Sequence, residues 1–163
     1  MTKMKLSDIF EIKSTGLDKI ISQNEMKIKL INYMDVYKNS IDYESLSLTS
    51  GTLDKIEKER VRKNDLLVTP TSETREDIFH SAVIKEDIPA VYSYHTMCLR
   101  PKISISSLYF KYYFDSRKIK MSVGRLTTGT TRMTLSKSDL SGLELSFPSF
   151  DQQIKIGNLL STM

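Results

Sequence analysis

Two stretches of this sequence hold side chains suited to gripping a polyanion or reading a base edge. The first is Arg125-Leu126-Thr127-Thr128-Gly129-Thr130-Thr131-Arg132, with hydroxyls throughout and no acid. Gly129 permits a positive φ and close backbone approach, and the hydroxyls and N–H groups of Thr128, Thr130 and Thr131 can hold phosphate. Arg125 and Arg132 flank the glycine as charged clamps. A plain connector competes with this reading on equal terms. The second stretch is Thr71-Ser72-Glu73-Thr74-Arg75-Glu76-Asp77. Here Ser72 and Thr74 can serve base edges or phosphates, Glu73 can accept from cytosine N4, and Arg75 can donate bidentately to guanine. An ordinary solvated turn is the competing reading.

The charge distribution points toward the same part of the chain. Twenty-four Lys and Arg face twenty Asp and Glu, a formal net charge of +4. Between Arg100 and Lys137 stand nine basic residues and one acid, Asp115, so that stretch carries +8 and the remainder −4. Nucleic-acid binders concentrate cations where phosphate will lie, whereas a solvated face only scatters them along the sequence. Arg117, Lys118 and Lys120 form a basic run that adds sequence-independent attraction. The aromatics Tyr109, Phe110, Tyr112, Tyr113 and Phe114 suit a stacking platform in composition, but at helical spacing they read as core.

Catalytic constellations are not evident. The six glycines never form G-x-G, which leaves out a glycine-rich phosphate loop. His80 and His95 lie in predicted strands, where a lone histidine usually packs or hydrogen-bonds. With a single cysteine, Cys98, and no paired His or Cys spacing, neither a metal site nor a disulfide framework is expected. Glu25-Met26-Lys27 imitates half of a nuclease motif without a strand leading into it. No Asn/Asp-Pro-Pro-aromatic segment of the amino-methyltransferase kind occurs. The reading is a non-enzyme with no metal and no cofactor.

The elements that must position these loops fall into two halves. Leu6 to Ile12 is a short amphipathic opening segment, closed by Gly16. Lys27 to Tyr33 alternates as a strand, which Asp35-Val36-Tyr37 extends, and Ile41 to Leu48 offers a second alternating run. Gly51 and Asp54 mark a turn. Lys63-Asn64-Asp65 forms a charged turn feeding a short apolar strand that Pro70 ends. Strands follow at Phe79 to Ile84 and at Val91 to Leu99. From Ser106 the period becomes helical through residue 123, with Ser106 or Ser107 as N-cap and Gly124 as the stop. Ser136-Lys137-Ser138-Asp139 has capping-box spacing with Gly142 at the helix end, and Leu143 to Phe147 alternates as a strand ending at Pro148. Ser149 begins a last helix with an apolar stripe of Ile154, Ile156, Leu159 and Leu160. Being so short, that helix must pack on something.

At 163 residues, 39% hydrophobic and 27% charged, the chain has the size and composition of one globular domain. Mean hydropathy is −0.30 and no apolar run approaches the ~20 residues of a bilayer span. The first residues turn acidic at Asp8 before any signal-peptide core forms. A soluble, cytoplasmic protein without a membrane contact is expected.

The order of segments resembles a target recognition domain from the specificity subunit of Type I restriction–modification systems. The resemblance rests first on Lys5-Leu6-Ser7-Asp8-Ile9-Phe10-Glu11-Ile12, the strand Ile31 to Val36, and the basic-x-Asn-Asp-Leu-Leu turn at Arg62 to Leu67. It continues through the Thr71 to Thr74 loop, His95 to Pro101, and Gly129 to Arg132. It ends with Leu143 to Pro148 leading into Gln152-Gln153-Ile154-Lys155-Ile156. These pieces span essentially the whole chain.

The resemblance implies a mixed α/β (α+β) recognition domain over residues 1–148. Its expected architecture is a short-stranded, strongly twisted mixed β-sheet with flanking helices. Residues 149–163 would begin a C-terminal spacer or dimerisation helix. It further implies no catalysis, one half of a bipartite DNA site as target, and double-stranded DNA as ligand. The implied partners are DNA methyltransferase (modification) subunits, restriction subunits, and a second copy through the C-terminal helix. On this reading Ser72, Glu73, Thr74 and Arg75 read bases, while Arg125 and Arg132 hold backbone or guanine. Thr128, Gly129, Thr130 and Thr131 support phosphate, and Arg117, Lys118 and Lys120 add attraction. Two features depart from the family pattern: one recognition domain with a helix of about a dozen residues, and Gln152 where a carboxylate is usual. A half-subunit, a truncated product or an excised domain would each account for the first. The rival reading is a protein-interaction module, an assembly partner or decoy that keeps the fold without reading DNA.

Overall fold

A computed structural model describes residues 1–163 and shows a mixed α+β molecule. Strand β1 (Thr2–Lys5) pairs antiparallel with β11 (Glu144–Phe147), so the two ends of the recognition domain are tied together. A single turn, α1 (Leu6–Ile9), then passes into β2 (Phe10–Lys13). A four-stranded antiparallel sheet runs in the order β2, β9 (Met97–Pro101), β5 (Leu66–Val68), β7 (Ser81–Val83). A three-stranded mixed sheet places β3 (Met26–Ile31) between β4 (Ser47–Gly51), antiparallel, and β8 (Ala90–Tyr92), parallel. The two-residue strands β6 (Thr71–Ser72) and β10 (Met133–Thr134) form a fourth pairing. The expected single mixed sheet is thus divided into four small ones, because turns interrupt every strand within six residues.

The largest core cluster lies beneath the four-stranded sheet. Phe10, Phe79, Phe110, Phe114 and Phe147 meet there with Leu6, Ile9, Leu66 and Leu99, all but Phe147 completely buried. The aromatic run therefore serves mainly as core, through Phe110 and Phe114. Cys98 is a buried hydrophobe, as its strand position suggested.

Several local assignments change. Residues 33–37 do not extend the strand but form helix α2 (Tyr33–Tyr37), because Asn32 and Asp35 make a reciprocal capping box. Residues 41–48 contain a 3-10 turn before β4, and the expected turn at Gly51 and Asp54 leads into helix α3 (Leu53–Glu59), capped by Thr52. The run 91–99 is two strands in different sheets, separated by a turn that Ser93 and Thr96 close. The 106–123 helix is broken into α4 (Ser107–Phe114) and α5 (Arg117–Leu126), since Ser116 caps a second start. Gly124 lies inside α5 rather than ending it. Helix α6 (Lys137–Ser141) has the predicted Ser136–Asp139 capping box and Gly142 at its C-cap.

The charged turn before β5 has a clear physical basis. Asn64 adopts φ +75, a left-handed conformation that favours Asn or Gly. Asp65, 1% exposed at its side chain, accepts from the Arg62 N–H at 2.7 Å. Its carboxylate also takes Arg100 Nε at 3.0 Å and Nη2 at 2.9 Å, which raises the Arg100 pKa and fixes β9 beside β5.

Helix α7 (Phe150–Ser161) docks on α4 by an unexpected face. Gln153 is buried, accepting from the Ser106 N–H and donating to the Pro148 carbonyl, both at 2.9 Å. A Cβ at Gly157 would stand 3.0 Å from the Tyr109 nitrogen, so the two backbones approach closely there. Gln152 is exposed, and a carboxylate is not needed at that position for this packing. Phe150, Ile154, Ile156 and Leu159 are left facing solvent. No helix is long and apolar enough to cross a membrane.

Candidate nucleic-acid interface

The strand registers bring the two candidate loops together. Val68 at the end of β5 leads through Pro70 into β6, where Thr71 pairs with Thr134 and Ser72 with Met133. The Leu135 N–H donates to the Pro70 carbonyl at 2.8 Å. Arg132 Nη2 reaches across to Thr71 Oγ1 at 3.1 Å. Segments separated by sixty residues in sequence are therefore one continuous surface at the C-terminal end of β5.

The 71–77 loop is held at the backbone of Thr71, Ser72, Thr74 and Asp77. Ser72 is buried, and its hydroxyl accepts from the Thr74 N–H at 3.0 Å while donating to the Thr74 carbonyl. That engagement makes Ser72 an internal staple of the loop. Thr74 Oγ1 accepts from the Asp77 N–H at 3.2 Å, closing the turn. Asp77 then accepts from the Tyr37 hydroxyl at 2.9 Å and pairs with His80 Nε2 at 2.8 Å. The His80 hydrogen bond holds the Asp77 carboxyl below the usual range, and the same carboxylate raises the Tyr37 phenol. The Tyr33 hydroxyl donates to the Thr71 carbonyl at 2.6 Å. Glu73, Thr74, Arg75 and Glu76 are exposed on this fixed frame, and of these only the Thr74 side chain is bonded within it.

Helix α5 forms the opposite wall. A Cβ on Gly124 would meet the Arg75 carbonyl at 3.3 Å, so the loop backbone lies directly on the helix at that point. Between loop and helix runs an open groove of about 510 Å³, whose charged lining is Arg75, Arg117, Lys120, Arg125 and the acid Glu76. The α5 residues Arg117, Lys120, Met121 and Gly124 face it because they recur three and four apart. Lys118 is exposed on α5 but is not part of that lining.

Lys120 differs from the expected solvated cation. Its Nζ donates to the Ile78 carbonyl at 2.8 Å and the Phe79 carbonyl at 2.9 Å, and burial lowers its pKa. Phe79 has φ +66, unusual for a bulky residue. Lys120 thus clamps the kinked backbone that returns the loop to β7, and its charge reaches the groove from a fixed position.

The threonine-rich loop is a closed hairpin. Thr128 and Thr134 exchange both backbone hydrogen bonds, at 3.0 and 2.9 Å. Gly129 has φ +113, and a Cβ there would come within 2.1 Å of the Arg132 carbonyl. Thr128, Thr130, Thr131 and Arg132 are exposed around the tip. Thr127 is buried, its hydroxyl donating to the Gly124 carbonyl at 2.7 Å and joining hairpin to helix.

The structure therefore gathers Arg75, Arg117, Lys120 and Arg125 around one groove, with Arg132 linked to the first residue of the adjoining loop. Sequence reasoning did not connect Tyr33 and Tyr37 with this loop, whereas the hydrogen-bonding role expected for His80 is met by its pairing with Asp77. The usable signal was Asn32-x-x-Asp35, which starts a helix and puts Tyr33 and Tyr37 on one face. No group of three or more His, Cys, Asp or Glu side chains is placed to hold a metal ion.

A mixed α+β scaffold presenting a fixed loop beside a cationic groove has the form of a recognition domain. Comparison with families agrees with that class: residues 1–163 match the Type I restriction modification DNA specificity domain, and the chain belongs to that family. The family supplies the non-catalytic specificity components of such systems, catalysis residing in other subunits. Among solved structures, the chain is similar to the S subunit of a Type I restriction–modification system from M. genitalium, with TM-score 0.59 and 21% identity. That match covers 99% of this chain and 38% of the other. It is also similar to the HsdS subunit from Thermoanaerobacter tengcongensis, with TM-score 0.63 and 13% identity over 99% and 36% of the two chains. A third similar chain comes from a structure of Type I complex assembly and conformational transition, with TM-score 0.66 and 12% identity over 99% and 37%. The chain spans less than two fifths of the length of these relatives. Comparison with curated proteins returned no match.

Proposed function

We propose that this chain binds duplex DNA and reads one half of a bipartite site, directing the modification and restriction subunits of a Type I complex. The observation that carries the reading is the convergence of Arg75, Arg117, Lys120 and Arg125, from sequence-distant segments, around one groove with a single carboxylate. A guanidinium-lined groove suits a phosphate backbone, which dominates affinity without carrying sequence information. The adjacent loop carries what that backbone lacks. Glu73 and Arg75 offer an acceptor and a bidentate donor to major-groove base edges, and Thr74 serves either kind. Thr128, Thr130, Thr131 and the backbone around Gly129 are placed to add phosphate contacts beside Arg132.

A second contact, to protein, is supported by α7. Its apolar residues Phe150, Ile154, Ile156 and Leu159 face solvent while Gln153 and Gly157 hold the helix on α4. We assign these exposed apolar side chains, which flank the face docked on α4, to a second spacer helix, in a further copy or a further recognition domain, and the assembled pair to docking of modification subunits. Residues 1–148 then form the reading unit and 149–163 the start of the spacer, acting in the cytoplasm where such systems meet DNA. The test is selection of bound oligonucleotides from a randomised duplex library, with this chain alone and with a modification subunit present. Enrichment of one short motif supports the reading. A library unchanged in both arms, with strong capture of protein partners, favours the interaction module instead.

A further inference from the structure

The base-contacting loop is gripped at both ends by one short helix. Tyr33 and Tyr37 stand four residues apart on α2, rings stacked with centroids 6.2 Å apart, and their hydroxyls point to opposite ends of the loop. Tyr33 donates to the carbonyl of Thr71, the loop's first residue. Tyr37 donates to the carboxylate of Asp77, its last residue, and its ring lies 4.4 Å from that of His80, which holds the other carboxylate oxygen. The helix is itself anchored. Asn32 and Asp35 cap it reciprocally, Val36 is fully buried, and the Ile31 carbonyl accepts from the Ser93 N–H at 3.0 Å.

We propose that Tyr33 and Tyr37 are positioning residues for DNA sequence discrimination, acting through the loop they span rather than by base contact. This inference rests on the DNA-reading function proposed above. The physical argument is preorganisation. Base discrimination depends on donors and acceptors held within a fraction of an ångström, and a short loop fixed at both ends presents Glu73, Thr74 and Arg75 without first having to order them. Neutral hydroxyls add nothing to phosphate attraction. Removing them should therefore leave nonspecific binding intact and lower only the preference for the selected sequence. The α5 side of the loop is held separately, by Lys120 and by the Gly124 contact, so the fold does not depend on the tyrosine hydroxyls alone.

The test uses Tyr33→Phe, Tyr37→Phe and the double variant, which retain the rings and delete the hydroxyls. A selected duplex and a scrambled duplex are titrated by fluorescence anisotropy, alongside hydrogen exchange of the Thr74 and Asp77 amides in the free protein. Each single variant is expected to bind the selected duplex about fivefold more weakly, the double about 25-fold, with scrambled-duplex affinity and salt slope unchanged. Loop amides should exchange faster by a similar factor, which remains readable if a variant loses overall stability. Equal weakening on both duplexes, or an unchanged preference, overturns the positioning role while leaving DNA reading intact. A wild-type protein that prefers no sequence overturns both.

Discussion

The groove between the 71–77 loop and α5 makes a quantitative statement about salt. Arg75, Arg117 and Arg125 line it as guanidiniums with no carboxylate partner, and Arg75 turns to phosphate where a nonspecific duplex offers it no cognate guanine, whereas Lys120 is engaged by two carbonyls. Each phosphate neutralised on B-DNA contributes about 0.9 to the log–log slope of affinity against salt, so three give a slope of about −2.7. Raising salt from about 50 to about 200 mM should then weaken nonspecific binding about 40-fold. In Arg117→Ala/Arg125→Ala the slope should fall to about −0.9, and the same change in salt should cost only about 3.5-fold. Lys27→Ala/Lys63→Ala is the control, because those lysines lie at the opposite, N-terminal ends of β3 and the turn before β5. Anisotropy of a labelled nonspecific duplex across a salt series reads both slopes. A wild-type slope shallower than about −1, or an equal change in the control, would refute the assignment of phosphate to this groove.

Three further outcomes follow from the geometry. Gly129→Ala must accommodate φ +113 and a Cβ 2.1 Å from the Arg132 carbonyl, so about 1–3 kcal/mol of stability should be lost locally. Binding should weaken even where the circular dichroism spectrum is unchanged, and an intact melting temperature with full affinity would show that the hairpin does not need this conformation. Asp65→Ala leaves Arg100 without its buried partner and frees the Arg62 amide; denaturant titration should show about 3–5 kcal/mol lost, and a loss under about 1 kcal/mol would remove the turn from the structural account. The carboxyls of Asp77 and Asp139 are held below their ordinary range, Asp77 chiefly by His80 with Tyr37 and Lys120 also facing it, Asp139 by the Ser136 amide. Depressed folded values mean stability that is complete above the ordinary carboxylate range and lost as pH falls through the folded values. Acid melts of Asp77→Asn and Asp139→Asn should accordingly show a weaker dependence on pH below about 4 than wild type, and parallel curves would contradict that linkage.

The candidate site was partly legible because its charges are a property of composition. Arg117, Arg125 and Arg132 could be named from the local absence of acids around them, and Arg75 from its place among the hydroxyls and carboxylates of the 71–77 loop. Their convergence could not, since it depends on Thr71 and Ser72 pairing with Thr134 and Met133. Ser72 looks like a ligand for DNA by residue type but is bonded within its own loop, and Lys120 lines the groove while held by two carbonyls, because burial and carbonyl partners follow from packing. The apolar alternation through 27–33 suggests a strand continuing over 33–37, which hides the shared face of Tyr33 and Tyr37, although the Asn32–Asp35 cap is present in the sequence.

The sequence by itself determined the features that arise within one helical turn or one strand. These include the Ser136–Asp139 cap, the Ser149 N-cap of α7, the Asn64 turn into β5, the strand before Pro148 and the basic bias after Arg100. The basic bias is composition alone, and the others are set by hydrogen bonds between residues three or four apart, or by a proline or a left-handed residue that the chain carries with it. Only the tertiary structure decided that 91–99 is two strands, that Gly124 seats a loop rather than ends a helix, and that α7 leaves Ile154, Ile156 and Leu159 exposed on either side of its docked face. Those outcomes depend on which distant backbone arrives alongside, and a periodic pattern of apolar residues specifies that something must cover a face without specifying what.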